Sequence, residues 1–329
     1  MENRLPHIDI ARAFAIIAAY LGHILAYQYP GTVLTNLVLS FSPGAAMSLL
    51  AFISAILVTP KNLTVTNTAA TRRVLRIYIP MLLCIAITFI FSRINTPWDY
   101  DAKHVLFHIM GLSLFFDLLS LPNNAGMGYG LWFVTTILIM YLTLPIQIKL
   151  FTHRNGKLHL LMVFLLCLLL KLYLKIDSSP WVVLASFSLG VYLSVRNKVE
   201  SATSMSFPKA SFLLLGITII SYFAVAKGIY WIIPLLTPAY PLVMLPFFKG
   251  MCNFLSGTVL KAITFFSLIS YEFYMLQFSF INGGLTKLIN VNGLVAHIAL
   301  SFTILIIAAY IVNNISKRMI EKSISYMDK

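Results

Sequence analysis

Residues 8–28 read IDIARAFAIIAAYLGHILAYQ. This run is long and apolar enough to cross a bilayer, yet it holds Asp9, Arg12 and His23. A helical span needs about 20 predominantly apolar residues. An ionisable group inside one is costly unless it faces protein, a water-filled path or another charge. The spacing puts the three on a common face. At about 100° per residue, the steps from Arg12 to His23 return to within about 20° of the starting direction. Asp9 falls about 60° from Arg12 and about 40° from His23 by the same arithmetic. The stripe rises roughly 16 Å between Arg12 and His23 at about 1.5 Å per residue. A helix serving only as an anchor would have no use for it. The segment is also a poor signal peptide, being long, charged and without a clear small-residue cleavage site.

The rest of the chain fits this beginning. Its 329 residues are 59% hydrophobic and 10% charged, with a mean hydropathy of +0.87. Soluble domains carry about 25% charged residues. The apolar runs, such as 158–174 and 298–312, are long and continuous rather than alternating. They are therefore read as helices, whose backbone polar groups are satisfied internally, and not as barrel strands. The expected fold is all-α: a polytopic transmembrane helical bundle, one domain over 1–329 with no soluble extra domain. The net charge of +14 does not indicate nucleic acid, because most Lys and Arg residues lie between hydrophobic runs, where they set topology. Cys84, Cys167 and Cys252 have neither disulfide-framework nor metal-ligand spacing and read as small buried hydrophobes.

About ten spans are expected, at 8–28, 34–58, 74–92, 128–150, 158–175, 179–196, 210–227, 230–248, 258–281 and 294–315. The eighth is the weakest, since Pro234, Pro238, Pro241 and Pro246 interrupt it. With both termini in the cytoplasm, eighteen of the 24 Lys and Arg residues fall on that side. Arg93, Lys103, Lys171, Lys175, Lys227 and Lys287 remain outside. The longest outer connection, 92–127, contains Trp98, Asp99, Asp101, Asp117 and an apolar stretch, 104–121, marginal as a span and suited to a re-entrant or interfacial helix. Asn123-Asn124-Ala125-Gly126 is a loop signal. No clean internal repeat is visible. His104 and His108, four residues apart, have no further ligands clustered with them, and no metal is expected.

Several segments share one pattern. The start, Ile8-Asp9-Ile10-Ala11-Arg12-Ala13 with Tyr20-Leu21-Gly22-His23, places an Arg, ten residues, then a His. Ala51-Phe52-Ile53-Ser54-Ala55-Ile56-Leu57 follows, and then Arg72-Arg73-Val74-Leu75-Arg76-Ile77-Tyr78-Ile79-Pro80. Leu131-Trp132-Phe133 precedes Tyr141-Leu142-Thr143-Leu144-Pro145, and Ser270-Tyr271-Glu272-Phe273-Tyr274-Met275-Leu276-Gln277 comes late. In this order the set resembles the acyltransferase-3 family of integral-membrane O-acyltransferases, from Ile8 to Gln277. Three positions depart from the family pattern. Ala55 stands where Gly is usual, Ile137 where many members carry Glu, and Gln277 where the late motif often ends in His.

The resemblance implies an enzyme of the bacterial plasma (inner) membrane. It would move an acyl group, most often acetyl, from cytoplasmic acetyl-CoA to a hydroxyl of a surface or lipid-linked glycan. His23 and Asp9 are the catalytic candidates. An imidazole gains a proton near neutral pH with little tuning, as the base for a hydroxyl attacking a thioester must. Arg12, Arg73 and Arg76 are candidates for the donor's phosphates, which Arg pairs bidentately. Arg73 and Arg76, three apart, share a helix face. Arg72 and Lys61 read as headgroup and topology residues. Trp132, Tyr141, Ser270, Tyr271, Glu272 and Tyr274 are the substrate-cavity candidates. Each has a structural alternative. Trp132 and Tyr141 suit packing or an aromatic belt, Asp9 can simply neutralise Arg12, and Glu272 can pair with an Arg. The tyrosine hydroxyls can steady a developing oxyanion. The expected partners are acyl-CoA, the glycan acceptor and the lipid bilayer. A transporter or exporter of a lipid-linked glycan also fits ten spans with intramembrane charge and a Pro-broken segment.

Overall fold

Pro6 opens the first helix at the position where a missing N–H costs nothing. Helix α1, Pro6–Gln28, then runs 23 residues, about 34 Å at 1.5 Å per residue and enough for a hydrocarbon core of about 30 Å. The computed structural model describes residues 5–41, 44–59, 67–95, 102–115, 128–174, 180–229, 232–282 and 293–327. Among these every regular element is helical. After α1 come α2 (Val33–Leu39), α3 (Gly44–Val58), α4 (Asn67–Asn95), α5 (Ala102–Ile109), α6 (Gly128–Thr152) and α7 (Gly156–Leu174). Then follow α8 (Pro180–Val195), α9 (Val199–Ala202), α10 (Phe207–Ala226), α11 (Ile233–Leu236), α12 (Ala239–Met251), α13 (Gly257–Asn282) and α14 (Leu294–Met327).

Among the described residues seven stretches are long and apolar enough to cross a membrane: Pro6–Ala26, Val33–Val58 (which takes in α2 and α3), Thr71–Ile90, Leu131–Thr152, Phe207–Ala226, Gly257–Gln277 and Leu294–Ser325. Gly156–Leu170 and Pro180–Val195 are apolar but shorter. The segment 230–248 is not one helix. It is α11, four residues, then α12, 13 residues; α12 reaches about 20 Å. Pro234, Pro238 and Pro241 remove backbone donors in succession, and a continuous helix cannot be built across them. Within 92–127 the structure shows α5, a short helix followed by a turn at Gly111, whose φ is +70°. Asp117 and Asn123 to Gly126 lie outside the described residues, as do Lys61, Trp98, Asp99, Asp101, Lys175 and Lys287.

The chain divides into two compact units, Met1–Thr64 with Ile139–Ser267 and Val65–Leu138 with Leu268–Lys329. In the first, α3 packs along α8 and α1 packs on α3 and α12. Small residues permit it. Ala45, Ala46, Ser48, Ala51 and Ala55 of α3 are buried, as are Ala185, Ser186 and Gly190 of α8. Without water to exclude, helices in lipid associate through such close van der Waals contact. Phe14 meets Phe41 and Phe248 with ring centroids 5.9 and 5.3 Å apart, which locks α1 to its neighbours. The Tyr240 hydroxyl donates to the Ser40 carbonyl at 3.1 Å and meets the Ser221 hydroxyl at 2.8 Å. At one end of this unit the Arg196 guanidinium donates to the His153 carbonyl at 2.6 Å. The basic stretches around residues 149–157 and 196–198, which the charge pattern assigns to one side, therefore do meet. In the second unit α4 packs against α14 and α5.

Gly190 marks a close approach of α8 to α3 in the first unit. A Cβ there would lie 2.7 Å from the Ala55 Cβ and 3.0 Å from the Phe52 carbonyl oxygen. Neither atom sits at the end of a flexible side chain. Gly190→Ala is therefore expected to cost about 1–3 kcal/mol through overpacking, read as a lower thermal midpoint of the detergent-purified protein. Gly216→Ala, with nothing within 4 Å of the added carbon, should leave the midpoint unchanged or raise it. Equal midpoints for the two variants would contradict the close approach.

Candidate active site

The polar stripe of α1 is built on the most buried of the candidate spans. In α1, 72% of the apolar window is covered by protein, against 22% in α10 and 28% in α14. Ala11, Ala15 and Ala19 are fully buried, so neighbouring helices approach the α1 backbone closely. Arg12 and His23 are half-buried and Asp9 is buried. Asp9 is held from another helix: the Ser267 hydroxyl of α13 donates to Asp9 Oδ1 at 2.7 Å. The first unit also holds Tyr141, whose hydroxyl lies 2.6 Å from the Ser54 hydroxyl. That bond ties α6 to α3 beside the Phe187 ring. Pro145, four residues on, has no N–H to give the Tyr141 carbonyl.

The remaining candidates belong to the second unit. On α4, Arg73 is half-buried and Arg76 exposed. Pro80 lies inside this helix and cannot supply the N–H that the Arg76 carbonyl would otherwise accept. One residue further, the Ile77 carbonyl accepts from the Tyr271 hydroxyl at 3.2 Å. Tyr271 thus clamps α13 to α4 beside Arg76. Glu272 is buried, and its partner is Asn313 of α14, whose amide donates to Glu272 Oε1 at 2.9 Å and to the Leu268 carbonyl at 3.1 Å. An amide, and not the Arg that the sequence leaves open, is what the structure places against Glu272. Trp132 is buried and packs edge-on against Phe133, which meets the Tyr274 ring 5.8 Å away at 74°. Ser270 and Tyr274 are both buried.

Two partners went unseen in the sequence. Ser267, one turn before Tyr271, continues the polar stripe of α13 toward its start. Asn313 ends an apolar run, where an amide inside a span is itself a signal of interhelical bonding. Gln277 stands out in the sequence only as a departure from a pattern, yet it is fully buried. His108 is also fully buried, with Nδ1 2.8 Å from the Ser113 hydroxyl; it closes the turn after α5. Among the described residues no group of three or more His, Cys, Asp or Glu side chains could hold a metal ion.

Apolar helices with ionisable groups turned into protein define a polytopic membrane protein whose interior is chemically equipped. The model of the acyltransferase-3 family, described as an acyltransferase domain, matches residues 5–313. The chain belongs to that family and is a membrane acyltransferase. No curated protein and no solved structure matches it.

The Glu272–Asn313 contact carries its own test. Asn313→Ala removes two hydrogen bonds and leaves a carboxyl oxygen buried without its donor, an expected loss of about 2–3 kcal/mol. Glu272→Gln keeps an oxygen able to accept from Asn313 and should stay within about 1 kcal/mol of wild type. Thermal midpoints in detergent measure both, and the reverse order would refute a structural amide clamp.

Proposed function

We propose that the protein is a multi-pass enzyme of the bacterial inner membrane that transfers acetyl from cytoplasmic acetyl-CoA to a hydroxyl of a cell-surface or lipid-linked glycan. The observation that supports this best is the Asp9–Arg12–His23 stripe on the most buried of the candidate spans. Its ends suit the two ends of the donor. An extended acyl-CoA keeps its phosphates far from its thioester, and Arg12 stands roughly 16 Å along the axis from His23. Arg12, with Arg73 and Arg76, is assigned to the phosphates on charge and fork geometry. With both termini cytoplasmic, the Arg12 end faces the cytoplasm and His23 lies toward the outer side.

The chemistry follows from those assignments. The acceptor hydroxyl attacks the thioester carbonyl, the His23 imidazole takes the hydroxyl proton, and the carbonyl re-forms as the coenzyme A thiolate leaves and is protonated. Asp9, about 21 Å along the helix from His23, acts on the Arg12 end and not on the imidazole. Ser270, by the resemblance, is assigned to the cavity, where its hydroxyl would stabilise the oxyanion.

His23→Ala is expected to abolish transfer of labelled acetyl from acetyl-CoA while the protein still inserts, a loss of at least about 10²-fold for removal of a general base. Normal transfer by that variant would remove the base assignment. Coenzyme A should also raise the thermal midpoint of the purified protein, since it binds the folded state alone. An absent shift would favour the exporter of a lipid-linked glycan, which has no need of the donor.

A further inference from the structure

Helix α13 carries two kinds of buried polar side chain. Ser267, Tyr271 and Glu272 each have a bonding partner in the protein: the Asp9 carboxylate, the Ile77 carbonyl and the Asn313 amide. Gln277 and Tyr274 differ. Both amide atoms of Gln277 and the Tyr274 hydroxyl are buried with no hydrogen-bond partner, and the residues are 0% and 2% exposed. A primary amide has two donors and an oxygen with two lone pairs. Burying such groups without partners costs their full desolvation, and in a bundle that spans lipid no bulk solvent offsets it. Apolar residues of similar shape would pack there at no such cost.

The two share one face. Gln277 falls about 60° from Tyr274, and Ser270 about 40° from it on the same side. Side chains three and four residues apart on a helix are neighbours. Glu272 points about 160° from Tyr274 and is engaged with Asn313, so it does not serve this face. Phe133 supplies an aromatic wall at Tyr274. The groups gathered here are neutral, and an amide both gives and accepts. That matches a ligand that is itself neutral and does both, with an apolar face for the ring: a sugar with its hydroxyls.

We propose that Tyr274 and Gln277 form a neutral hydrogen-bonding site for a carbohydrate hydroxyl. Given acyl transfer to a glycan, they position the acceptor through a hydroxyl that does not react.

The test uses the full-length protein in lipid nanodiscs, with Gln277→Met and Tyr274→Phe, which keep shape and remove the polar atoms. Two measurements are made on each: the thermal midpoint without ligand, and its rise with the methyl glycosides of glucose, galactose, mannose and N-acetylglucosamine. Without ligand, the variants should match or exceed wild type, with a gain of about 2–4 °C where desolvation is relieved. At least one glycoside should stabilise wild type, and each variant should need about tenfold more of it for the same shift. A fall in the unliganded midpoint would show that the atoms are bonded within the protein, overturning the proposal. So would glycosides that stabilise all proteins equally or none. Coenzyme A, added separately, reports on the donor: no shift with it alongside a glycoside shift that the variants lose would sink acyl transfer and leave the sugar site standing.

Discussion

A polar group in hydrocarbon has no water to fall back on, and most of this structure answers to that constraint. The backbone meets it by being helical wherever regular structure is described. Side-chain hydroxyls meet it by turning back onto their own helix: Thr136 on the Trp132 carbonyl, Thr218 on Leu214, Ser316 on Val312. Groups with more valences than one helix can satisfy reach to another. Asn313 spends both donors on α13, and Ser267 spends its proton on α1. The span with three ionisable residues is the one most covered by protein, whereas α10 exposes Phe212, Leu215, Ile219 and Phe223 all along its length.

Proline shows the same constraint from the opposite direction. A proline inside a span releases the carbonyl one turn before it, which then needs a new donor or a place near water. Pro80 releases Arg76 and Pro145 releases Tyr141, both among the residues singled out for donor or substrate. In each case a tyrosine fixes the neighbourhood: Tyr271 reaches the Ile77 carbonyl, and the Tyr141 hydroxyl meets Ser54. Between Ile233 and Met251, where prolines come too densely for such repair, the continuous span is lost.

What could be read from the sequence divides along physical lines. Long apolar runs force helices, so the extents of α1, α6 and α13 follow from hydropathy to within a few residues, and the ordered motifs carry the family. A helix also places its own residues, so the common face of Asp9, Arg12 and His23 follows from 3.6 residues per turn alone. What one helix cannot specify is its partner. Nothing local says that Ser267 bonds Asp9, 258 residues away, or that Glu272 takes an amide and not a guanidinium. Those pairings are set by packing, which small residues such as Ala55 and Gly190 permit but do not encode singly. The proline-broken eighth segment lay between the two cases: its weakness was visible, its division into α11 and α12 was not.

The Ser267–Asp9 bond bears on how Arg12 can serve an anion at all. At about 4 Å and an effective dielectric of about 20, a guanidinium and a carboxylate attract by about 4 kcal/mol. Were Asp9 dependent on that pairing alone, turning Arg12 toward a phosphate would strand a buried carboxylate, at a cost close to the whole gain. A hydroxyl donating to the carboxylate contributes about 1.5–3 kcal/mol and stays in place whichever way the arginine turns. Under the proposed donor binding, an Asp9 held in this way would not depend on Arg12, and a phosphate could compete for the guanidinium. A serine suits that role better than a second cation would, because it satisfies the acid while adding no charge to repel Arg12 from the site.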